Sequence, residues 1–250
     1  MSERLPNRQP TRLPDQLADH LPDHLPDHPP TARPAMMRRR LVLASGLAGL
    51  LPLLGAGCSR APVRGQPVPA GARVLALGDS LTYGTGAPAD AAYPAVLARL
   101  TGWDVVNAGV PGDTTAQALA RTPGLLDEHR PALVLLGIGG NDLLRRQDEG
   151  AARANIERIV QAARGAAAQV LLIAVPRPTV AARVTGSLSD HPMYAEIAQA
   201  QALPLHADGW SQVLADERLR ADAIHANAAG YERFAQGLLA TLRAAGLLAA

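Results

Sequence analysis

The chain has 250 residues, with 24 Lys plus Arg against 22 Asp plus Glu, 3% aromatic residues and one cysteine. A single cysteine excludes an intrachain disulfide, and the complete lack of lysine excludes Schiff-base and Ser-Lys chemistry. From Cys58 onward 17 Arg stand against 17 Asp plus Glu, and a neutral body argues against nucleic acid as a partner.

Residues 1–35 carry a tetrad repeat from Leu13-Pro14-Asp15-Gln16 to Leu25-Pro26-Asp27-His28. Proline at nearly every fourth place rules out a stable helix, and there is little apolar surface to bury. His20, His24 and His28 would share a metal-binding face only on a helix, so no metal site is expected there. The stretch is expected to be a disordered extension, or sequence upstream of a start at Met36 or Met37. Residues 36–57 begin Met36-Met37-Arg38-Arg39-Arg40, continue through the apolar run Leu41–Leu54, and end in Gly55-Ala56-Gly57 before Cys58. A basic start, a short apolar stretch and small residues before a cleavage point describe an export signal. The placement of Cys58 resembles a bacterial lipoprotein cleavage site, where the cysteine carries the lipid. The expectation is an exported protein, periplasmic or held at the membrane through Cys58. Residues 58–72, with Pro62, Pro67 and Pro69, read as an extended tether.

The body, 73–250, alternates strand and helix. Val74-Leu75-Ala76-Leu77 reads as a buried parallel strand ending in the small-residue turn Gly78-Asp79-Ser80. That puts Ser80 at the carboxyl rim of a sheet, where α/β proteins place their ligand crevices. The turn lacks the Gly-x-Ser-x-Gly pattern of an α/β-hydrolase nucleophile elbow. Further strands are expected at 103–109, 132–138, 170–175 and 203–206, and helices at 92–100, 114–129, 149–168, 192–202 and 227–245. Such alternation predicts a parallel sheet with helices on both faces.

Acyl transfer needs a nucleophile, a base, an orienter for the base, and donors for the developing oxyanion. Ser80, His225 and Asp222 supply the first three. Gly112, in Val110-Pro111-Gly112-Asp113, and Asn141, in Gly139-Gly140-Asn141-Asp142, follow the next two strands and supply oxyanion donors beside the Ser80 N–H. Other polar residues take plainer roles. Asp79 reads as a turn residue, Asp142 as a cap for the helix after it, and His129 and His206 as a helix end and a strand edge. His191 precedes a proline but has Ser187, not a carboxylate, three residues before it. Leu81 and Tyr83 are candidates for an acyl pocket or the core, and Gly84-Thr85-Gly86 for a phosphate cradle.

The four blocks Gly78-Asp79-Ser80-Leu81, Gly112, Gly139-Gly140-Asn141-Asp142 and Asp222-x-x-His225 resemble those of GDSL-type esterases in the SGNH hydrolase superfamily. The run Asn107–Thr114 is similar to the bacterial periplasmic thioesterase, lysophospholipase and arylesterase branch. The resemblance covers about residues 73 to 243. It implies a three-layer α/β/α fold with a five-stranded parallel sheet in flavodoxin-like order, and a serine ester hydrolase needing no metal or cofactor. The implied substrates are small-molecule or lipid acyl esters and thioesters. Ala226 departs from the family, which usually has proline after its histidine. Two alternatives stand beside this: a carbohydrate O-acetylesterase on cell-envelope glycans, and a non-catalytic ligand-binding lipoprotein, which leaves Asn141 and the Asp222/His225 pair unexplained.

Overall fold

The computed structural model describes residues 63–177 and 188–248. The expectations for residues 1–57, for Cys58 and for Ser187 lie outside them. Five strands, β1 (Arg73–Gly78), β2 (Asp104–Gly109), β3 (Leu133–Gly137), β4 (Gln169–Ile173) and β5 (Leu205–His206), form one parallel sheet in the order β2-β1-β3-β4-β5. This is the flavodoxin-like order expected. The helices are α1 (Ser80–Tyr83), α2 (Tyr93–Thr101), α3 (Thr115–His129), α4 (Gly140–Leu144), α5 (Glu149–Gly165), α6 (Pro192–Ala200), α7 (Gly209–Ala215) and α8 (Ala228–Ala244).

Alternating side chains divide the core between the two sheet faces. Val74, Ala76, Leu133, Leu135, Leu171 and Ile173 face α2, α7 and α8. Leu75, Leu77, Val134, Leu136, Val170 and Leu172 face α3, α5 and α6. The central strands β1, β3 and β4 are apolar along their buried lengths because both faces are covered, whereas the edge strand β2 carries Asp104 and Asn107. The first face also gathers Tyr93, Trp210, Tyr231 and Phe234, with Trp210 stacked on Phe234 at 3.6 Å and Tyr93 edge-on to both.

The described part of the tether expected over 58–72 is not free chain. From Gly65 onward the chain is docked on the domain: Gly65 N–H donates to Ala245 O (2.8 Å), Val68 N–H to Leu247 O (2.9 Å), and Trp103 Nε1–H to Val68 O (3.1 Å). The Val68 side chain is buried. These contacts lie where the strands begin, so the chain joins the domain at the pole opposite Ser80.

At the other pole the strand ends are bare. Gly78 is in register with Gly109 on one side and Gly137 on the other. Helix α1 lies directly over them: a Cβ on Gly109 would come within 2.1 Å of Tyr83 N, and one on Gly78 within 2.1 Å of Thr82 Oγ1. Gly109→Ala therefore pushes on backbone that has no rotamer to yield. We expect it to destabilise the fold by about 1–3 kcal/mol, the scale of core overpacking, and to lower activity by displacing Ser80. Urea unfolding and turnover of the variant check both.

Candidate active site

Ser80 opens α1, and Asp79 caps that helix by accepting from Leu81 N–H at 3.0 Å. The cap fixes the turn between β1 and α1 and leaves the Ser80 hydroxyl facing outward. His225 Nε2 lies 3.0 Å from Ser80 Oγ, and His225 Nδ1 lies 2.7 Å from Asp222 Oδ2. With the Asp222 carboxylate accepting at Nδ1, the ring proton sits there and Nε2 is free to accept from the serine. The other Asp222 oxygen accepts from the backbone N–H of Ile224 and of His225, both at 2.8 Å. Desolvation raises the Asp222 pKa, but the His225 ring and these two N–H groups outweigh it and hold the carboxyl below its ordinary value.

The loop carrying this pair is fixed from three sides. Ala221 N–H donates to His225 O (2.9 Å) and Asn227 N–H to Leu219 O (2.9 Å). Asn227 caps α8 through Gly230 N–H (3.0 Å). These bonds restrain the backbone around Ala226, where the family usually has proline, and the Ala226 side chain is fully buried. Gly84-Thr85-Gly86 forms the third support. A Cβ on Gly86 would meet Ala226 O at 2.5 Å and Ala221 Cβ at 2.7 Å, and Tyr231 Oη donates to Thr85 O at 2.8 Å. The turn is thus packed against the His225 loop, which corrects the phosphate-cradle alternative.

Val110-Pro111-Gly112-Asp113 closes with Asp113 N–H donating to Val110 O (3.1 Å), and Gly112 has φ +85°. Proline at the second place and a left-handed glycine at the third make a type II turn, which flips the Pro111–Gly112 peptide relative to a type I turn. Among the described residues, the N–H groups of Ser80 and Gly112 donate to no protein acceptor. Asn141, in the first turn of α4, donates one amide proton to Asp113 O at 3.0 Å. Among the described residues, the one other partner of its side-chain amide is Asp79 Oδ2 at 3.5 Å, too long to engage the second proton firmly. Asn141 therefore both braces the glycine turn and has a proton to offer. Gly139 precedes it at φ +119°, where a Cβ would strike Tyr194 Oη at 2.6 Å.

One of these expectations changes, and the structure places the other residues. Asp142 does not cap its own helix: it accepts from Thr115 N–H (2.9 Å) and Thr115 Oγ1–H (2.7 Å), tying α4 to the start of α3. His191 caps α6 through Met193 N–H and faces Glu149, with no described contact to Ser80. Burial holds His206 down at about 4, so it stays neutral beside Thr241. Leu81 is a core residue, while Tyr83 is 55% exposed. Arg121, which grips Asp113 and two strand-end carbonyls, had no signal in the sequence beyond being one arginine of an amphipathic helix.

A hydroxyl, an imidazole and a carboxylate in one hydrogen-bonded line at the carboxyl rim of a parallel sheet are the equipment of a serine hydrolase. Residues 76–233 match the sequence model of the GDSL-like lipase/acylhydrolase family. Esterase TesA of Pseudomonas aeruginosa is 32% identical over 179 residues, covering 68% of this chain and 87% of that one. The arylesterase of Vibrio mimicus is 36% identical over 140 residues, covering 53% and 70%. A crystal structure of TesA superposes with a TM-score of 0.62 at 29% identity, over 68% of this chain and 98% of that one. The chain belongs to the GDSL-like lipase/acylhydrolase family and is a serine esterase of that type.

Asp79 is the electrostatic oddity of the site. Desolvation pushes its carboxyl up to about 6, the neighbouring Asp113 and Asp142 add to this, and the Leu81 N–H and His225 oppose it. Its folded pKa thus exceeds the unfolded value of 3.8. The stability this group contributes is full below that value and is lost as pH rises through about 6. Two pH units correspond to about 3 kcal/mol. Asp79→Asn keeps a capping oxygen and removes the charge. We expect it to gain stability relative to the native chain as pH rises from 4 to 7, measured by urea unfolding at both ends.

Proposed function

We propose that Ser80 is the nucleophile of ester hydrolysis, His225 its base, Asp222 the orienter, and the Ser80 and Gly112 N–H groups with the Asn141 amide the oxyanion donors. The observation that carries this is the unbroken line from Asp222 through His225 to Ser80 Oγ. His225 Nε2 takes the serine proton as Oγ bonds to the acyl carbon, and the carbonyl oxygen becomes an oxyanion held by the three donors. As the carbonyl re-forms, the leaving alcohol or thiol departs with the proton from His225. Water then attacks the acyl-enzyme, giving its proton to His225, which returns it to Ser80 Oγ as the carboxylic acid leaves. The chemistry draws on no metal or cofactor.

The substrate class we infer is acyl esters and thioesters with an apolar part: aryl esters, short or medium acyl esters, and lysophospholipids. Four of the large exposed apolar side chains among the described residues stand on the four segments of the site. They are Tyr83 behind Ser80, Val110 before Gly112, Leu144 after Asn141, and Ile224 beside His225. Exposed apolar side chains on each segment of the site suit a substrate with a hydrocarbon or aromatic portion.

Ser80→Ala is expected to abolish turnover of nitrophenyl esters with the fold intact by circular dichroism. His225→Ala should be nearly inactive and Asp222→Asn strongly impaired, with His191→Ala close to wild type. Asn141→Ala should lower kcat by about 10²–10³, the scale for one oxyanion donor. Inactivity of His191→Ala with full activity of His225→Ala would reverse the assignment of the base.

We further propose that residues 36–57 direct export, that the mature chain begins at a lipidated Cys58, and that 73–250 is the catalytic domain. Several acyl chains on one cysteine hold a protein at a bilayer, whereas one holds it only marginally. Cys58→Ser should move the enzyme from the membrane fraction to the soluble one, with kcat and KM on soluble esters unchanged. An unmodified Cys58 in membrane-fraction mass spectra would contradict the anchor and leave the esterase untouched.

A further inference from the structure

Arg121 stands in the middle of α3, seven residues into a helix whose first turn is already capped by Thr114 and Gln117. Its side chain is three-quarters buried and every guanidinium nitrogen is used. Nε donates to Asp113 Oδ2 at 2.7 Å, Nη1 to Ala108 O at 2.7 Å, and Nη2 to Gly78 O at 2.8 Å. The three acceptors belong to three different parts of the site. Gly78 ends β1, two residues before Ser80. Ala108 lies one residue from the end of β2. Asp113 follows Gly112, and its backbone carbonyl receives the Asn141 amide. Gly78 O also accepts from Val110 N–H at 3.1 Å, so the strand carrying the serine and the turn carrying the glycine meet at the atom Arg121 holds.

We propose that Arg121 is a positioning residue of the reaction. Its planar fork sets the spacing between Ser80 and the oxyanion donors Gly112 and Asn141. The role rests on the esterase assignment above. Three acceptors in different directions suit a guanidinium, whose five N–H groups diverge in one plane; an ammonium offers three donors from a single point. Without the fork, the Val110–Asp113 turn keeps its internal bond and the Val110 N–H bond to Gly78 O, but the Asp113 end, whose carbonyl receives Asn141, loses its tie to the strand ends. Misplacement by about 1 Å is enough to cost about 10²-fold in rate.

The test is kinetic, on a soluble aryl ester. Arg121→Lys should lower kcat by about 10- to 100-fold with KM within about 3-fold, since the groups it positions act in the transition state. In an Asn141→Ala background the same change should cost less than about 3-fold, because groups that act as a unit are not additive. Added methylguanidinium should restore part of the activity of Arg121→Ala. Wild-type kcat in Arg121→Lys, or an equal loss in both backgrounds, would overturn the role. Should Arg121→Lys fail to fold, Asp113→Ala deletes the acceptor of Nε and decides by the same split of kcat from KM. A native chain inert on esters would overturn the esterase assignment together with this role, whereas an active native chain with an unaffected Arg121→Lys overturns this role alone.

Discussion

A four-residue helix lies against the ends of two strands, and the rest of the site depends on that contact. Helix α1 carries Ser80 and rests on Gly78 and Gly109, where any side chain would collide with backbone or with Thr82. The bare strand ends bring Ser80 close to both neighbouring loops: the one after β2, with Gly112, and the one after β3, with Asn141. A parallel sheet sends every strand end to one pole, so residues far apart in sequence converge there without long excursions. The histidine loop comes from the far end of the chain. It is held against α1 by the Gly84–Gly86 turn and by Tyr231 of α8.

Three carboxylates are buried beneath this surface, and their differing fates show how the site is kept ordered. Asp113 is neutralised by Arg121, and Asp142 accepts two bonds from Thr115. Each links one functional loop to α3. Asp79 has one backbone donor and a long contact to Asn141, so burial dominates and its proton is held tightly. A buried charge survives only where partners replace water. The best-partnered carboxylates are structural ties between loops, and the least-partnered one lies next to Ser80. Asp222, by contrast, is more than half exposed, and its depressed pKa comes from hydrogen bonds to the loop it stabilises.

Much of this was legible in the residues. Val74–Leu77 and Leu133–Ile138 are unbroken apolar runs, which a strand buried on both faces requires. Ser80, Gly112, Asn141, Asp222 and His225 each follow such a run or sit at fixed spacing; hydrogen bonds join Asp222, His225 and Ser80 in one line and Asn141 to the turn of Gly112. The misread features depend on tertiary contacts that a linear pattern does not carry. The segment from Gly65 to Ala72 has one apolar anchor, Val68, and docks mainly through backbone bonds. Asp142 reaches back to α3 rather than forward, because Thr115 offers both an N–H and a hydroxyl. Arg121 is indistinguishable in sequence from a solvated helix arginine; only the fold shows three acceptors around it. The short α7 begins at Gly209, whose missing side chain leaves room for His206, a packing reason without a sequence period.

The docked segment also gives the domain a polarity. The chain arrives where the strands begin, and the chemistry is placed where they end. The central claim is that Ser80, activated by His225, meets an oxyanion site made by Gly112 and Asn141. A crystal structure of the protein inactivated by a serine-directed phosphonate tests it most directly. Phosphorus should be bonded to Ser80 Oγ alone. The free phosphonyl oxygen should lie at about 2.7–3.1 Å from the N–H groups of Ser80 and Gly112 and from Asn141 Nδ2, the reach of an oxyanion donor. An adduct on another residue, or a phosphonyl oxygen turned to solvent with those donors unused, would contradict it.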